Sequence, residues 1–495
     1  MLDYIINKTM EYLDGMPKTK RKKIGQFFTG LETARFMASL FSLPKKEHLD
    51  ILDPGTGSAI LTVALMERLE QEATIKSVSL ICYETEPAIL DLLKENLEYI
   101  KSAVSFEFNY KMIIKNYITS QQKPLPIADL VIGNPPYRKI PRLAEEATMM
   151  EHVVYGAPNL YFLFTAKSIE NLRDGGELVY IIPRSWTSGA YFKAFRTFLF
   201  KETTIEHIHL FVSRDKVFEN EAVLQETMII KLKKQANQLN EIVISSTESS
   251  SDFNNIQYIR VPKKLVVGND DNQYVYLVTN KEEVDVLERL SVFHNTLSSL
   301  DMKMKTGLTV DFREREHLMD EPTNDNVPMF FAQHLQDGRI TFPIGKHGEY
   351  LDTRKSALLQ MNTNYLFVKR FTTKEESRRL QSSIYLQDDF PDHKQISTQN
   401  KLNFIARNKK ELTKPMVYGL YCLFNSTLYD KYYRILNGST QVNSTEVNTM
   451  PMPTLDGIVF LGERLLKEND LSEKYCDDVL EEYLNDEARR SERVS

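Results

Sequence analysis

The stretch LDILDPGTGS, residues 49–58, decides the fold of this chain. Its apolar start predicts a buried strand, and its end predicts a tight loop that carries Gly55 and Gly57. Residues 59–70 place apolar side chains at helical spacing, so the loop joins a strand to a helix. Such a loop lets backbone N–H groups approach a ligand, and Asp53 can orient cationic or polar groups on it. Tight packing between the strand and the helix is the alternative interpretation.

The same alternation of strand, turn and helix continues to about residue 235. It predicts an α/β fold in which a mostly parallel sheet carries helices on both faces. The predicted strands are residues 49–52, 78–83, 128–132, 177–182, 207–212 and 227–232, and the predicted helices are residues 59–70, 87–99 and 160–172. Folds of this class bind their ligands beyond the carboxyl ends of the strands.

Glu84 follows the second of these strands, in the sequence CYETEP at residues 82–87. Nucleotide-binding α/β folds place a carboxylate at such a position to hold ribose hydroxyls. Glu86 is the competing choice, and a surface acid is the structural alternative. The glycine loop and the carboxylate support each other as a nucleotide site. Neither requires a pyrophosphate, and the sequence has no GxxxxGK[ST] motif for a triphosphate.

The tetrapeptide Asn134-Pro135-Pro136-Tyr137 follows the apolar run 128–132. It offers what a weakly nucleophilic exocyclic amino nitrogen needs, because the Asn134 oxygen and a backbone carbonyl can each accept one N–H. Pro135 fixes φ and has no N–H, which stiffens the turn. Tyr137 offers a flat face on which a planar target can stack. A plain Asn-Pro turn that closes the strand is the alternative.

Composition indicates an ordinary globular protein of two or three domains, with 495 residues of which 42% are hydrophobic and 26% charged. Cys82, Cys422 and Cys476 have no metal or redox spacing, which favours a cytoplasmic protein without disulfides. No apolar stretch approaches 18 residues, so neither secretion nor contact with a membrane is expected.

The formal net charge of −6 argues against indiscriminate coating of nucleic acid. Cations are nevertheless concentrated in two places. Residues 18–23 hold five, and residues 369–414 hold eleven Lys and Arg against six Asp and Glu. Two such stretches suit a cleft that holds a polyanion, and a solvated surface is the alternative.

After Lys234 the composition changes and the alternation of strands and helices ends. Residues 235–255 are polar, which predicts a linker or exposed loop. Residues 256–455 are short mixed segments rich in Tyr, Phe and Arg, which indicates a second domain. Residues 456–495 predict one or two amphipathic helices. The predicted domains are therefore residues 1–240, 256–455 and 456–495.

Six segments carry a family resemblance through their order: GQFFTG (25–30), LDPGTGS (52–58), YETEP (83–87), DLVIGNPPY (129–137), PNLYFLF (158–164) and GGELVYIIPRSW (175–186). The chain resembles the gamma group of amino-adenine DNA methyltransferases from bacterial type II restriction-modification systems. A weaker similarity to larger type II members covers KTGLTVDFR (305–313), YLFVKRFTTKEESRR (365–379) and LNGSTQVNSTEVNTMPMP (436–453). The resemblance implies a Rossmann-like S-adenosylmethionine-dependent methyltransferase domain and a separate C-terminal mixed α+β DNA-recognition domain.

The resemblance also implies the cofactor, the partner and the roles of single residues. S-adenosylmethionine is the expected cofactor, no metal is expected, and the expected partner is double-stranded DNA that a cognate restriction endonuclease also recognises. The residues implied to hold the cofactor are Phe27, Thr29, Asp53, Gly55, Gly57, Glu84 and Asn116. The target adenine would be flipped out, because its N6 cannot be approached in line while it is stacked. The residues implied to hold it are Asn134, Pro135, Pro136 and Tyr137, with Phe218 on the opposite side of the ring.

Three positions depart from the family pattern, and the first is Gly30, which stands where a Pro is frequent. Ala59 stands where the glycine loop often continues with another Gly. Asn116 stands where an Asp often binds the amino group of the cofactor's adenine, although an amide oxygen can accept the same hydrogen bond.

Other functions are also compatible with these motifs. Enzymes that methylate protein glutamine or ribosomal RNA also carry NPPY, but they do not explain about 250 residues after the catalytic domain. A cytosine-N4 enzyme would more often carry Ser in place of Asn134. A DNA-specificity protein with weak or lost catalysis is the non-enzyme alternative, and the intact Asn134 and Asp53 argue against it. No separate domain is long enough to house a fused endonuclease.

Overall fold

The computed structural model describes residues 1–15, 17, 28–120, 126–212, 226–234, 240–268, 271–373, 375–437 and 440–494. It divides into two units, Met1–Asn280 and Lys281–Ser495. In the described parts of the chain, no helix combines the length and the apolar character needed to cross a bilayer.

Among the described residues of the first unit, nine strands form one sheet. They are β1 (His48–Pro54), β2 (Ser77–Tyr83), β3 (Glu107–Ile113), β4 (Ala128–Gly133), β5 (Leu172–Pro183), β6 (Thr203–Phe211), β7 (Thr227–Lys234), β8 (Glu241–Thr247) and β9 (Gln257–Pro262). The strand order is β3-β2-β1-β4-β5-β7-β6-β8-β9. The pairs among β1 to β5 are parallel, whereas β7 runs antiparallel to both β5 and β6.

Both faces of the central strands are buried. The helices of this unit are α1 (Leu2–Asp14), α2 (Leu31–Ser39), α3 (Ile60–Leu69), α4 (Leu90–Ala103), α5 (Glu145–Met149), α6 (Leu160–Asn171), α7 (Lys193–Glu202) and α8 (Lys263–Val266). Ile51 and Leu130 share a core cluster with residues of α1 to α4, whereas the adjacent Leu52 and Val131 are buried outside that cluster. Because successive strand residues point to opposite faces, the predicted α/β sheet with both faces covered is confirmed.

The linker predicted for residues 235–255 is wrong, because β8 lies inside it. Its polar side chains find buried partners on β6. The Ser245 hydroxyl lies 2.7 Å from Nε2 of His207 and 2.8 Å from Nδ1 of His209, and the Thr247 hydroxyl lies 3.2 Å from Nε2 of His209. With these partners a Ser/Thr-rich strand can be buried at little cost. The first unit therefore runs past the predicted boundary at residue 240 and ends at Asn280.

The second unit is mixed α+β, as predicted. Its strands are β10 (Met302–Thr306), β11 (Leu318–Met319), β12 (Val327–Phe330), β13 (Leu335–Gln336), β14 (Arg339–Ile340), β15 (Tyr350–Leu351), β16 (Gln360–Met361), β17 (Tyr365–Lys369), β18 (Ser382–Tyr385), β19 (Gln395–Thr398) and β20 (Leu402–Arg407). They form a six-stranded sheet, β10-β20-β17-β18-β14-β13, and a five-stranded sheet, β11-β15-β12-β19-β16. A cluster of aromatic side chains that includes Phe330, Phe367 and Phe404 forms its core.

The helices of the second unit are α9 (Lys281–Leu290), α10 (Lys414–Asn425), α11 (Thr427–Leu436), α12 (Ser444–Val447), α13 (Leu455–Glu468) and α14 (Glu473–Val494). The segment predicted as a separate tail, residues 456–495, corresponds to α13 and α14. Both helices pack against α10, so this segment belongs to the second unit.

Candidate active site

The candidate site lies at the carboxyl ends of β1, β2 and β4. In the sheet β1 stands between β2 and β4. The strands that follow β1 are added first on one side of it, as β2 and β3, and then on the other side, as β4 and β5. Open α/β sheets bind ligands at such a switch point. A cavity of about 600 Å³ opens at this place.

Most of the predicted site residues line this cavity. They are Thr29, Asp53, Gly55, Gly57, Glu84, Asn116, Asn134 and Pro136. Pro135 is buried and Tyr137 is half-buried, and neither lines the cavity. Phe27 and Phe218 lie outside the described residues.

The glycine loop after β1 is held by the neighbouring strand. The N–H groups of Gly55 and Thr56 donate to the Tyr83 carbonyl over 2.9 and 3.0 Å. Gly55 has φ of 91° and Gly57 has φ of 59°, in the left-handed region that favours glycine. Ala59 also has a positive φ, 69°, a backbone conformation that favours glycine over alanine.

Asp53 is a carboxyl group buried in the wall of the cavity. It is 1% exposed, and its Oδ2 accepts a hydrogen bond from the Thr62 hydroxyl over 2.7 Å. Burial raises the pKa of Asp53 to about 7, and the nearby charge of Glu84 adds to the rise, whereas the Thr62 hydrogen bond opposes it. Within the described part of the chain Asp53 has no cationic partner, and such a buried carboxylate favours a ligand that brings a positive charge.

Glu84 ties the glycine loop to the end of β2. Its Oε2 accepts from the Gly57 N–H over 2.9 Å, and its Oε1 accepts from the N–H groups of Thr85 and Glu86 over 2.7 and 2.8 Å. A carboxylate has about four acceptor sites, so Glu84 retains capacity for a hydroxyl group. Glu86 also lines the cavity, but its side chain caps the following helical turn through the Ala88 N–H.

Two hydroxyl groups hold the amide of Asn134. Its Nδ2 donates to the Thr29 hydroxyl over 3.3 Å, and its Oδ1 accepts from the Tyr137 hydroxyl over 2.8 Å. The Tyr137 hydroxyl also lies 3.0 Å from the Ile181 carbonyl. Burial raises the pKa of Tyr137 well above its usual value, so the phenol remains a donor. The NPPY turn thus presents a side-chain oxygen with a defined orientation on the cavity wall.

Asn116 lies on the cavity wall, but both ends of its amide are engaged. Its Oδ1 accepts from the Ile118 N–H over 3.0 Å, and its Nδ2 donates to Glu146 over 2.8 Å. Glu146 belongs to α5 and lines the same cavity. The sequence gives no signal for Glu146, because the segment around it matches none of the recognised motifs. The Glu146 carboxylate is therefore a further hydrogen-bond acceptor on the cavity wall, beside Asn116.

An aromatic wall completes the cavity. The ring of Tyr117 lies 5.0 Å from that of Tyr83 and 5.3 Å from that of Phe164, between centroids, and all three residues line the cavity. Phe28 lines it as well. Tyr83, Phe164 and Phe28 lie within the motifs YETEP, PNLYFLF and GQFFTG, which was the available signal. Nothing in the sequence around Tyr117 indicated its position.

Comparison with known proteins places these features in a family. Residues 70–218 match the Eco57I restriction-modification methylase family. The chain is 34% identical over 485 residues to the Type II methyltransferase M.BsuBI of Bacillus subtilis, over 94% of this chain and 95% of the relative. It is 35% identical over 458 residues to M.PstI of Providencia stuartii, over 89% of each chain. The Type IIL restriction-modification enzyme MmeI in complex with DNA has a TM-score of 0.52 at 11% identity, over 98% of this chain and 73% of that one.

The strand order, the switch-point cavity and the likeness to MmeI define a Rossmann-like methyltransferase fold. The two curated relatives are at least 34% identical and are matched over at least 89% of their length. The chain therefore belongs to the Type II methyltransferases of restriction-modification systems.

Proposed function

We propose that this chain is a gamma-group enzyme that transfers a methyl group from S-adenosylmethionine to N6 of an adenine flipped out of double-stranded DNA. The observation that carries the proposal is the position of Asn134, which shares one cavity wall with Asp53 and the glycine loop. The Type II relatives that span the chain support it. The methylated site would be protected from a cognate restriction endonuclease.

The cavity residues fit S-adenosylmethionine. The ammonium group of its methionine part needs an anion, and Asp53 is a buried carboxyl in the wall. Its ribose hydroxyls need acceptors, which Glu84 offers. Its adenine needs a flat apolar surface, which Tyr117 and Phe164 provide. When bound, this cofactor supplies a methyl group on a positively charged sulfur.

The residues of the NPPY turn would activate the amine. An amide oxygen has two lone pairs, so Oδ1 of Asn134 can accept an amine N–H beside the Tyr137 hydroxyl. A backbone carbonyl of the turn, that of Pro135, would accept the second N–H. Two accepted bonds would concentrate electron density on the nitrogen for attack on the methyl carbon. The new C–N bond would replace the C–S bond of the donor, the sulfur would leave as a neutral thioether, and one amine proton would pass to solvent. Thr29 would keep the amide oriented through its bond to Nδ2.

Single-molecule sequencing of genomic DNA from cells that express this chain tests the proposal. We expect methylation at adenine N6 within one sequence context. Methyl groups on cytosine N4, on RNA or on protein glutamine, together with unmodified adenine, would contradict it.

Cofactor binding is expected to weaken as the pH falls below about 7. The pKa of Asp53 is raised to about 7, so under these conditions its carboxyl takes up a proton and loses the charge that attracts an ammonium group. A bound cation favours the carboxylate and lowers this pKa, so binding releases a proton. The Kd for S-adenosylmethionine should rise about tenfold per pH unit below pH 7. Isothermal titration calorimetry in buffers of different ionisation enthalpy measures both the Kd and the released proton.

The Asp53→Asn variant should bind the cofactor weakly with a nearly flat pH profile. Asp91→Asn, at an exposed position of α4, is the matched control and should keep the wild-type profile. If Asp53→Asn kept the wild-type pH dependence of the cofactor Kd, the proton released on binding would come from another group. In the ligand-free protein the same raised pKa favours folding below about pH 4, and this contribution is lost as the pH rises through about 7.

Tyr137 is expected to act mainly through its ring. Tyr137→Phe should retain most of the turnover, because Thr29 still holds Nδ2 of Asn134. Tyr137→Ala should lose about 5- to 100-fold in kcat/KM, the range measured for loss of one base-stacking aromatic. The fluorescence of 2-aminopurine at the target position reports on base flipping, and tritiated-methyl transfer reports on turnover. Tyr258→Ala, at a 57% exposed position of β9, is the control. If Tyr137→Phe and Tyr137→Ala lost kcat/KM equally, the Tyr137 hydroxyl, and not its ring, would be the group that matters for turnover.

We also propose that the second unit, Lys281–Ser495, selects the DNA sequence. Two observations support this proposal. The candidate active site lies within the first unit, which leaves the second unit available for another task. The similarity to the two Type II methyltransferases extends over nearly the whole chain and so includes the second unit. The recognition domain is predicted to begin at residue 256, whereas the second compact unit begins at Lys281.

A further inference from the structure

Three segments of the second unit meet at one turn, residues 399–401, between β19 and β20. From one side, the Asn400 N–H donates to the Thr309 carbonyl over 2.8 Å, and the Gln399 side chain donates to Asp311 over 2.7 Å. From the other side, the Arg370 guanidinium donates to the Asn400 carbonyl over 2.8 Å. Phe371 pairs in turn with Gln441. The motifs at residues 305–313, 365–379 and 436–453 are therefore neighbours in space.

Two exposed phenylalanines flank this turn, each beside an arginine. Phe312 is 61% exposed and Phe371 is 42% exposed, so both rings are accessible to a partner. The Arg313 guanidinium lies 5.7 Å from the centre of the Phe312 ring, and the Arg370 guanidinium lies 5.4 Å from that of Phe371. The exposed Lys401 adds a further cation on the turn itself.

These arginines differ from other cations that lie over aromatic rings. Arg464, over Phe460 on α13, is neutralised by a two-pronged ion pair with Glu482 at 2.9 and 2.8 Å. Within the described residues, neither Arg313 nor Arg370 forms an ion pair with a carboxylate. The nearby Asp311 accepts from Gln399, and Glu314 is paired with Lys355. Within the described residues, Arg313, Arg370 and Lys401 are thus held in no ion pair, and they lie beside Asp311, which keeps its charge because its partner Gln399 is neutral.

We propose that Phe312, Arg313, Arg370, Phe371 and Lys401 form a surface that contacts double-stranded DNA. The guanidinium and ammonium groups bind backbone phosphates, and the phenylalanine rings pack against sugars and base edges in a groove. Charge complementarity identifies the partner, because these cations beside flat apolar rings match a polyanion that carries aromatic bases. The inference rests on the proposed function and adds the surface of the second unit that binds the substrate.

Fluorescence anisotropy with a labelled duplex that contains the methylated motif tests this surface. The variants Arg313→Gln and Lys401→Gln change side chains that are exposed, so the fold should tolerate them. Each should weaken binding several-fold at about 0.15 M salt and make the negative slope of log K against log salt shallower by about 1. Phe371→Ala should weaken binding at least about fivefold with little change in that slope. Cofactor binding should remain at the wild-type level in all three.

Arg464→Gln is the matched control, because it removes an arginine that lies over a phenylalanine but is already neutralised. Wild-type affinity and salt slope in all three surface variants would overturn the inference, as would an equal loss in the control. The proposed function would still stand if the wild-type chain methylated the duplex. If the wild-type chain neither bound nor methylated any duplex, the proposed function itself would fail, and this surface with it.

Discussion

The Asn134→Ala variant is expected to lose about 100- to 1,000-fold in the rate of methyl transfer while it keeps its affinity for cofactor and duplex. The amide of Asn134 is oriented by Thr29 and Tyr137, so its oxygen is an acceptor that is in place before the substrate arrives. Alanine removes that acceptor and leaves the amine lone pair delocalised. Because other residues hold the cofactor and the DNA, the loss should fall on kcat and not on binding.

Single-turnover transfer of tritiated methyl groups measures the chemical step, and calorimetry measures cofactor binding separately. Asn109→Ala is the matched control, because this exposed residue of β3 donates its side-chain amide to Glu107, away from the cavity. Near-normal single-turnover rates in Asn134→Ala would remove the assigned role. Normal rates at saturation with a raised cofactor Kd would instead make Asn134 a binding residue.

The arrangement of the candidate site could be predicted because its determinants are local in sequence. The glycine loop, Glu84 and NPPY each follow an apolar run, and parallel strands bring such ends to one edge. The structure places Asp53, Glu84 and Asn134 on one cavity, as that reasoning requires. The roles of these residues in binding and catalysis remain predictions until they are measured.

The features that the sequence did not reveal depend on contacts between distant segments. The sequence of β8 predicts a linker because Ser245 and Thr247 are polar, and the histidines that satisfy them stand 38 residues earlier on β6. The edge strand β3 is absent from the predicted strands, although its positions alternate between exposed and more buried along most of its length. Glu146 reaches the cavity only because the loop after β4 folds back to Asn116. No local pattern contains that information.

The second unit contains strands of two to six residues, which are too short for a periodic pattern to be recognised. Its architecture depends instead on aromatic packing and on helix contacts. One of these contacts joins α10 and α13, where Gly419 and Gly462 each face main-chain atoms of the opposite helix. A β-carbon on Gly419 would lie 2.7 Å from the Ile458 carbonyl carbon, and one on Gly462 would lie 2.7 Å from the Gly419 nitrogen.

Gly419→Ala and Gly462→Ala are each expected to lower the free energy of unfolding of the second unit by about 3 kcal/mol. Alanine would gain up to about 1 kcal/mol in helix propensity, but main-chain atoms cannot turn aside as a side chain can, so the helices must separate. That separation would loosen the packing of Val417, Leu420 and Leu461, which are fully buried. Urea denaturation followed by circular dichroism measures the loss of stability.

Hydrogen–deuterium exchange should locate the effect of both substitutions in peptides from α10 and α13, with the peptides of the first unit unchanged. Gly15→Ala is the matched control, because its β-carbon would find its nearest neighbour at an ordinary 3.6 Å. That variant should keep its stability within about 0.5 kcal/mol. If Gly419→Ala and Gly462→Ala were as stable as Gly15→Ala, the two helices would have to lie farther apart than the structure places them. The close crossing would then no longer explain why glycine stands at both positions.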